Sequence, residues 1–376
     1  MRRVFFIRHA RPDIPFGERW CVGSRTDIPL GSYGKIQASL LRFEPDLKGL
    51  NAVFCSSLSR SRETALAISS SPVTIPGLEE QDMGVWDGLS FTEIRTGWPE
   101  LYAIREHDPY TLPEGAETLE HMAERFREAV ARCLAESDGD IAVVAHKSSI
   151  STVTGCREML GWASVSVAEY GVNGLKVTEI GRQPHPGLRD EVCDAMMSAA
   201  DADDALKAHC RAVADLASGL CGMLTGAGLQ LSTPLVRSSA LIHDIARARK
   251  HHPEAGAEWL LELGYPAVAE IIRRHHDLEG TQLDEAAIVF LADKCFEGER
   301  RVTIEERFAG SASRCLTREA MEAHACRLET ALQIKEKINR ILGKTVIEER
   351  SPIWRTFIRK YSINWPKTKP CPLKRS

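Results

Sequence analysis

At 376 residues, with 27% charged side chains and a formal net charge of −4, the chain is too long for one typical domain and has no overall basic excess suited to nucleic acid. Eleven cysteines without metal-finger spacing read as reduced thiols rather than a disulfide framework, and no segment has the length of a membrane span. The opening MRRVFFIRHARPD has only a short apolar run before Arg8, so the expectation is a cytoplasmic protein with no membrane contact, built of two domains plus appendages.

The run from Arg3 to Ile7 predicts a buried strand that delivers Arg8 and His9 at its end. A loop, GSRTDIPLGSYG, carries Arg25 and leads to a helix near 36–43. NAVFCSS predicts a second strand, and LSRSRETALAI a helix bearing Arg60 and Arg62. The acidic segment LEEQDMGVWDG offers Glu79, Glu80 and Asp82. Helical spacing returns over 122–135, and IAVVAH at 141–146 is another buried strand ending in a histidine. Continuous apolar strands alternating with helices predict an α/β domain with a mostly parallel sheet, whose site forms at the carboxyl ends of the strands.

Two strand-end imidazoles among arginines point to phosphate chemistry. An imidazole can attack phosphorus, arginines can hold charge on the equatorial oxygens, and a carboxyl group can protonate the leaving oxygen. A pair of hydrogen-bonded core histidines is the competing account of His9 and His146.

The segments RHA at 8–10, SRTDIPLGSYGKIQA at 24–38, SSLSRSRETA at 56–65, LEEQDMGVWDG at 78–88 and VVAH at 143–146 resemble the phosphoglycerate-mutase-like histidine phosphatases, in family order. The resemblance covers about the first 180 residues and implies an α/β phosphoglycerate-mutase-like sandwich. It implies that His9 accepts the phosphoryl group, that Arg8, Arg60 and His146 complete the phosphate pocket, and that Glu80 donates the proton, with no cofactor required. The acidic segment looks more like the small phosphatases of the family than the glycolytic mutases. The chain departs from the family pattern at Ala10, Arg11 and Pro12 after the first histidine and at Lys147 after the second. Pro12 removes a backbone donor. Altered substrate choice is the expectation, with Arg25 and Lys147 as candidate substrate contacts.

Gln183 to Asp201 opens with prolines and glycines and continues in small and acidic residues, so 183–201 reads as a linker after a first domain at 1–182. From Ala202 the chain is rich in Ala and Leu. Helices are predicted for about 202–226, 235–249, 254–264, 267–276, 284–296 and 317–343, an all-α domain over 202–345. Within it, LVRSSALIHDIARARKHH brings an adjacent His243 and Asp244, flanked by His209, His251, His252, His275 and His276 and closed by Asp293 in an apolar helix. Adjacent side chains on a helix diverge by about 100°, so His243 and Asp244 share a metal only near the helix's inner edge. A buried carboxylate such as Asp293 is costly unless paired or metal-bound. Imidazole and carboxylate donors suit a divalent transition metal, Fe or Mn first, as one ion or two.

This order of residues resembles the HD superfamily of metal-dependent phosphohydrolases, and LIHDIA, HPEAGAEWL, IIRRHHD and FLADKCFEGER resemble the subgroup that cleaves diadenosine tetraphosphate symmetrically. The resemblance runs from about 204 to 312. It implies a central metal set of His209, His243, Asp244 and Asp293, extended to a second ion by His252 and His275, with His276 competing with His275. His251 is read as an exposed neighbour. Arg247 and Lys250 are candidate contacts for phosphate or nucleotide, or else a solvated basic face. The subgroup phrase has Thr and Gly where this chain has His276, Asp277 and Leu278, which leaves the dinucleotide as one option among nucleotide substrates.

Within the tail, 346–376, the stretch from Ser351 to Ser376 has seven Lys or Arg and no acidic residue, with Trp354, Phe357, Tyr361 and Trp365 interspersed. It reads first as aromatic anchors docking on an acidic face. Nucleotide or nucleic-acid contact comes second. The expected function is a bifunctional phosphohydrolase acting on a small phosphorylated metabolite or nucleotide, with the two reactions in sequence. The alternatives are an HD enzyme with an N-terminal phosphate-ligand sensor, and a non-enzymatic nucleotide-responsive module.

Overall fold

The computed structural model describes residues 2–156 and 160–347, in two compact units that meet in sequence between Gly187 and Leu188. The tail beyond Ile347, and with it the docking expectation, lies outside the described residues.

In the first unit, β1 (Arg2–Arg8) is followed by α1 (Ser32–Leu41), β2 (Ala52–Cys55), α2 (Ser59–Leu66) and the short β3 (Val73–Thr74). After α3 (Phe91–Gly97) and α4 (Pro99–Arg105) come α5 (Leu119–Ala135), β4 (Ile141–Ala145), α6 (Lys147–Thr154), β5 (Val165–Gly171) and β6 (Gly174–Arg182). The strand order is β3-β2-β4-β1-β5-β6. β1, β2, β3 and β4 pair in parallel, whereas β5 and β6 add antiparallel. The sheet is therefore mostly parallel, as expected, with an antiparallel pair, β5 and β6, added on one side. β6 alternates intermediate and exposed residues along an edge, so it has no continuous apolar run to announce it. The Asn173-Gly174 pair was its one local sign, a turn signal between two strands.

β1 is buried on both faces because successive side chains alternate sides. Val4 and Phe6 pack with Phe54, Val143 and Phe126 of α5, while Phe5 and Ile7 pack with Leu41 of α1, Ala65 of α2 and Val144. Phe126 has no exposed surface and its ring centroid lies 6.4 Å from that of Phe6. Phe126→Ala is expected to destabilise this unit by about 3–5 kcal/mol, through lost burial and the cavity left behind. Urea unfolding of the full chain checks it, and a shift below about 1 kcal/mol would contradict this packing.

The second unit is helical apart from a two-residue hairpin, β7 (Phe296–Glu297) with β8 (Arg300–Arg301). Its helices are α7 (Asp190–Ala199), α8 (Asp204–Gly226), α9 (Thr233–Leu241), α10 (His252–Glu262), α11 (Pro266–Arg274), α12 (Glu285–Asp293), α13 (Ile304–Ser311) and α14 (Arg318–Leu342). α12 is buried from Ala286 to Asp293 and packs against α8, α9, α11 and α14. No described helix is long and apolar enough to cross a membrane.

Three expectations change here. Residues 190–199, read as linker, form α7, whose Val192, Cys193, Met196 and Met197 are buried. The helix expected over 235–249 stops at Leu241, and turns run on from Ile242. The helix expected to 296 ends at Asp293, where the chain prepares for the β7 hairpin. The unexpected α13 carries a local signature, a capping box of Thr303 and Glu306.

Candidate functional site

In the first unit, parallel pairing of β1 with β4 sets Arg8 opposite Ala145, so the next residue of each strand, His9 and His146, emerges at the same sheet edge. Their ring centroids are 4.8 Å apart, and both are buried. His9 Nδ1 lies 2.7 Å from the Ala10 carbonyl oxygen. A carbonyl only accepts, so Nδ1 carries the proton and Nε2 keeps its lone pair. Burial first, then the charges of Arg60 and Arg8, hold His9 well below the ordinary imidazole range. Burial and the neighbouring His9 do the same to His146. Two neutral imidazoles result, one with a free lone pair.

Arg60 is fully buried and donates to the carbonyls of Thr26 at 2.8 Å and Gly23 at 3.0 Å. Arg8 donates to the Leu160 carbonyl. The Nε atoms of both arginines and Nδ1 of His146 are buried without a hydrogen-bond partner. Unsatisfied buried polar atoms are rare, and here they belong to the residues expected to hold an anion. Glu80 accepts from the Ser148 amide at 3.2 Å, at the start of α6. Lys147 is half-buried beside it, its pKa lowered by burial and then by Arg8. Arg25 is directed elsewhere: its Nε reaches Asp82 at 2.8 Å and its Nη2 the Gly115 carbonyl at 2.9 Å, bracing the acidic loop.

Three contributors were not foreseen. Arg125 of α5 holds the acidic loop through the carbonyls of Gly77, Glu79 and Glu80 and is itself paired with Glu117. Ser56 Oγ lies 2.7 Å from His146 Nε2 and orients that ring. Trp162 places its ring 3.4 Å from the Arg8 guanidinium carbon and 5.2 Å from the His9 ring. No local pattern marks a loop tryptophan or a helix-surface arginine as part of a strand-end site. Trp162→Leu removes a cation–π contact worth about 0.5–2 kcal/mol, so orthovanadate inhibition of monoester turnover should weaken roughly 2- to 30-fold, with Trp162→Phe retaining most of it. An unchanged inhibition constant in Trp162→Leu would exclude this contact from anion binding.

In the second unit, His243 and Asp244 lie in the turns after α9 rather than on a helix, so the divergence of adjacent helical side chains does not separate them. Two donor groups converge, Asp244 with His252, His275 and His276, and His209 with His243 and Asp244, and Asp244 belongs to both. Its Oδ1 lies 2.9 Å from His252 Nε2 and 3.6 Å from His275 Nε2, while Oδ2 lies 3.7 Å from His243 Nε2. Asp293 Oδ1 is 3.2 Å from His209 Nε2 and 3.8 Å from His243 Nε2. His276 packs against His252 and His275, at centroid distances of 4.7 Å and 4.3 Å, so it joins His275 rather than replacing it.

The orientation of the rings tests whether a metal fits. His209, His243 and His275 place Nδ1 at 2.9, 2.8 and 2.6 Å from the carbonyls of Gly298, Ala240 and Ile272. Each Nδ1 is thereby a donor, so in the neutral ring that binds a metal Nε2 is the lone pair, and it faces carboxylate oxygens. The Nε2 atoms of His243, His252 and His275 are buried and without a hydrogen-bond partner. Lone pairs facing anions repel unless a cation lies between them, so the donor set fits a divalent metal-binding site. Burial pushes His243 down to about 4, with Asp244 and Asp293 opposing. Asp244 stays well below the ordinary carboxylate range: burial alone would raise it, but His243, His252 and His275 outweigh that.

Lys294, not foreseen, donates to Asp293 Oδ2 at 2.7 Å and leaves Oδ1 toward the imidazoles. Arg247 reaches Asp244 Oδ2 at 3.2 Å, whereas Lys250 and His251 are exposed and outside the cluster. A cavity of about 670 Å³ adjoins the cluster, lined in part by His209, Asp244, His276, Asp293 and Arg247.

Residues 4–186 match the histidine phosphatase superfamily (branch 1), and residues 206–297 match the HD domain. The chain is 29% identical over 197 residues to the bifunctional protein Rv2228c of Mycobacterium tuberculosis, a match covering 48% of this chain and 54% of that protein. It is 34% identical over 107 residues to an uncharacterized protein of Methanocaldococcus jannaschii, covering 28% of this chain and 62% of that one. It is 29% identical over 197 residues to a probable phosphoglycerate mutase of Serratia proteamaculans, covering 50% of this chain and 88% of that one. The chain spans about half the length of the mycobacterial relative.

Proposed function

With a histidine-phosphatase domain over residues 4–186 and an HD domain over residues 206–297 in one chain, we propose a bifunctional phosphohydrolase: a phosphomonoesterase working through His9, and a metal-dependent hydrolase of a nucleotide or dinucleotide phosphate bond. The observation that carries it is the presence of two separate donor sets of different chemistry. One is a buried imidazole pair among arginines, and the other is a group of imidazoles converging on shared carboxylates.

In the first unit, a phosphomonoester is held by Arg8, Arg60 and His146. His9 Nε2 attacks phosphorus and the ester P–O bond breaks, with Glu80 protonating the departing oxygen. Water then attacks the phosphohistidine, Glu80 takes its proton, and inorganic phosphate leaves with His9 restored. Lys147 supplies a further cation beside this pocket, in keeping with a substrate choice of its own.

In the second unit, His209, His243, Asp244 and Asp293 would hold one divalent ion and Asp244, His252, His275 and His276 a second, Fe or Mn by donor chemistry. A divalent ion bound there supplies Lewis-acid polarisation of phosphate oxygens and acidified water. The backbone carbonyls of Ala240, Ile272 and Gly298 fix the rings, and Arg247 balances charge at Asp244. The adjoining cavity, about 670 Å³, is of nucleotide-binding size. Nine described cysteines are free thiols whereas Cys326 is disulfide-bonded, a correction to the expectation of reduced thiols throughout, so the cysteines carry no argument for a compartment.

The test is phosphate release from monoesters, nucleotides and dinucleoside polyphosphates, with chelator and then with Mn²⁺ or Fe²⁺ restored. Chelator-resistant monoester turnover plus metal-restored nucleotide turnover is the expected result. Complete dependence on metal would instead leave the first unit as a phosphate-ligand sensor, the reading that Ala10, Pro12 and Lys147 motivate.

A further inference from the structure

The cavity beside the metal cluster has a second set of walls that no reading of the metal ligands uses. Its lining joins His209, Asp244 and Asp293 to residues of α13, α14 and the segment between them: Arg307, Arg314, His324 and Arg327. All four lie C-terminal to the HD-matching segment, 206–297.

Of the three guanidinium groups, Arg327 is paired, reaching both oxygens of Asp277 at 2.5 and 2.8 Å. Arg307 is half-buried, and its Nε is buried without a hydrogen-bond partner. Arg314 has no ion-pair partner among the described residues. An arginine cannot shed its proton, so a buried, unpartnered guanidinium N–H calls for an acceptor. His324, whose Nε2 lies 2.8 Å from Ser311 Oγ, has its pKa lowered by burial and then by Arg327, Arg314 and Arg307, so three positive groups crowd one neutral ring. The acidic lining outside the metal cluster is Asp201 and Asp203, and Asp203 is engaged in capping α8 through the Leu206 amide. Arg307, half-buried, and Arg314, exposed, thus line this wall with no ion-pair partner among the described residues, in a cavity that also reaches the His/Asp cluster.

We infer that Arg307 and Arg314 form a second anion seat in this cavity, which selects substrates carrying a further phosphate beyond the one held at the metal cluster. The inference rests on reading the His/Asp cluster as a phosphohydrolase centre. It goes beyond that reading in naming two residues that distinguish a polyphosphate chain from a substrate with one phosphorus. Arginine forks match phosphate oxygens in pairs, so one substrate can engage the cluster and the seat together.

The probe is inorganic tripolyphosphate, applied to the full chain. Hydrogen exchange on chelator-treated protein should show protection of peptides over 304–327, lost in the R307Q/R314Q double variant and kept in R307K/R314K. In Mn²⁺-loaded protein at fixed free Mn²⁺, tripolyphosphate should inhibit turnover of bis(p-nitrophenyl) phosphate, a single-phosphorus substrate. The double variant should raise that inhibition constant at least tenfold while leaving turnover of the single-phosphorus substrate within twofold. No protection in the wild type, or an unchanged inhibition constant in the variant, overturns the seat while metal-dependent turnover stands. Absence of metal-dependent turnover in the wild type overturns the reading of the metal centre, and the substrate role of the seat falls with it. Equal losses in binding and turnover that R307K/R314K fails to rescue mark the arginines as structural and also overturn it.

Discussion

Replacing His9 by Asn is expected to abolish the chelator-resistant monoesterase, lowering its kcat by about a thousandfold or more and eliminating any acid-labile phosphoprotein, because it removes the proposed phosphoryl acceptor. His9 is the imidazole whose Nδ1 faces the Ala10 carbonyl, which leaves Nε2 free for the proposed nucleophilic role. His146, whose Nε2 is engaged with Ser56 and whose Nδ1 is unpartnered, is assigned to holding the phosphate, and the variant separates the two rings. Burial and the two arginines hold His9 below the ordinary imidazole range, so the attacking form is present at pH 6 as well as at pH 7. Phosphoenzyme formation should therefore not fall as pH drops through 6.5 on account of His9. Rapid-quench detection of the phosphoprotein, with metal-restored nucleotide turnover as the folding control, checks both statements. Chelator-resistant phosphate release within tenfold of wild type would refute the assignment of His9.

Asp244→Asn is expected to empty the second unit of metal and to remove its hydrolysis while leaving the chelator-resistant monoesterase intact. Asp244 is the one carboxylate shared by both donor groups. Its oxygens face His252, His275 and His243, so the amide would replace an anion at the centre of three imidazoles with a group that can turn a donor toward them. Loss of an outer hydrogen-bond partner costs roughly 10- to 100-fold in metal affinity, and loss of a shared ligand should exceed that. Metal content after dialysis, measured by mass spectrometry, reads the effect without relying on turnover. Retention of the wild-type metal content would remove Asp244 from the ligand set. Lys250→Ala, outside the cluster, serves as the neutral comparison.

Much of this arrangement was legible locally. The apolar runs of β1 and β4 end in histidines, and in a parallel pair such ends emerge together, so His9 and His146 were legible as one site before their separation was measured. The dispersed histidines and Asp293 stood out because polar groups inside apolar helices need a partner. The helix expected through His243 was wrong, because the apolar spacing of 235–249 continues past Leu241 while the backbone does not. Hydrophobic spacing reports which side chains are buried, and a buried turn reads the same as a buried helix. The antiparallel edge strand β6 escaped because a strand half-exposed to water lacks the continuous apolar signal of central ones.

The sequence by itself supplied the candidates for phosphate and metal chemistry, the unit each belongs to, and the strand ends that present them. The strand ends follow from local hydrophobic patterning, encoded within a few residues, while the roles expected of the side chains follow from the two family resemblances. Only the tertiary structure decided how these candidates are joined. It made Asp244 common to both donor groups, gave three imidazoles their Nδ1 carbonyl partners, placed Trp162 on Arg8, turned Arg25 away toward Asp82, and brought Arg307 and Arg314 to the cavity beside the metal ligands. Apart from the Nδ1 contacts of His243 and His275, which reach carbonyls three residues back, and the neighbours His243 and His252 of Asp244, those contacts link residues tens to more than a hundred positions apart. Their geometry depends on strand register and on which helix packs on which, and no window of sequence contains that information.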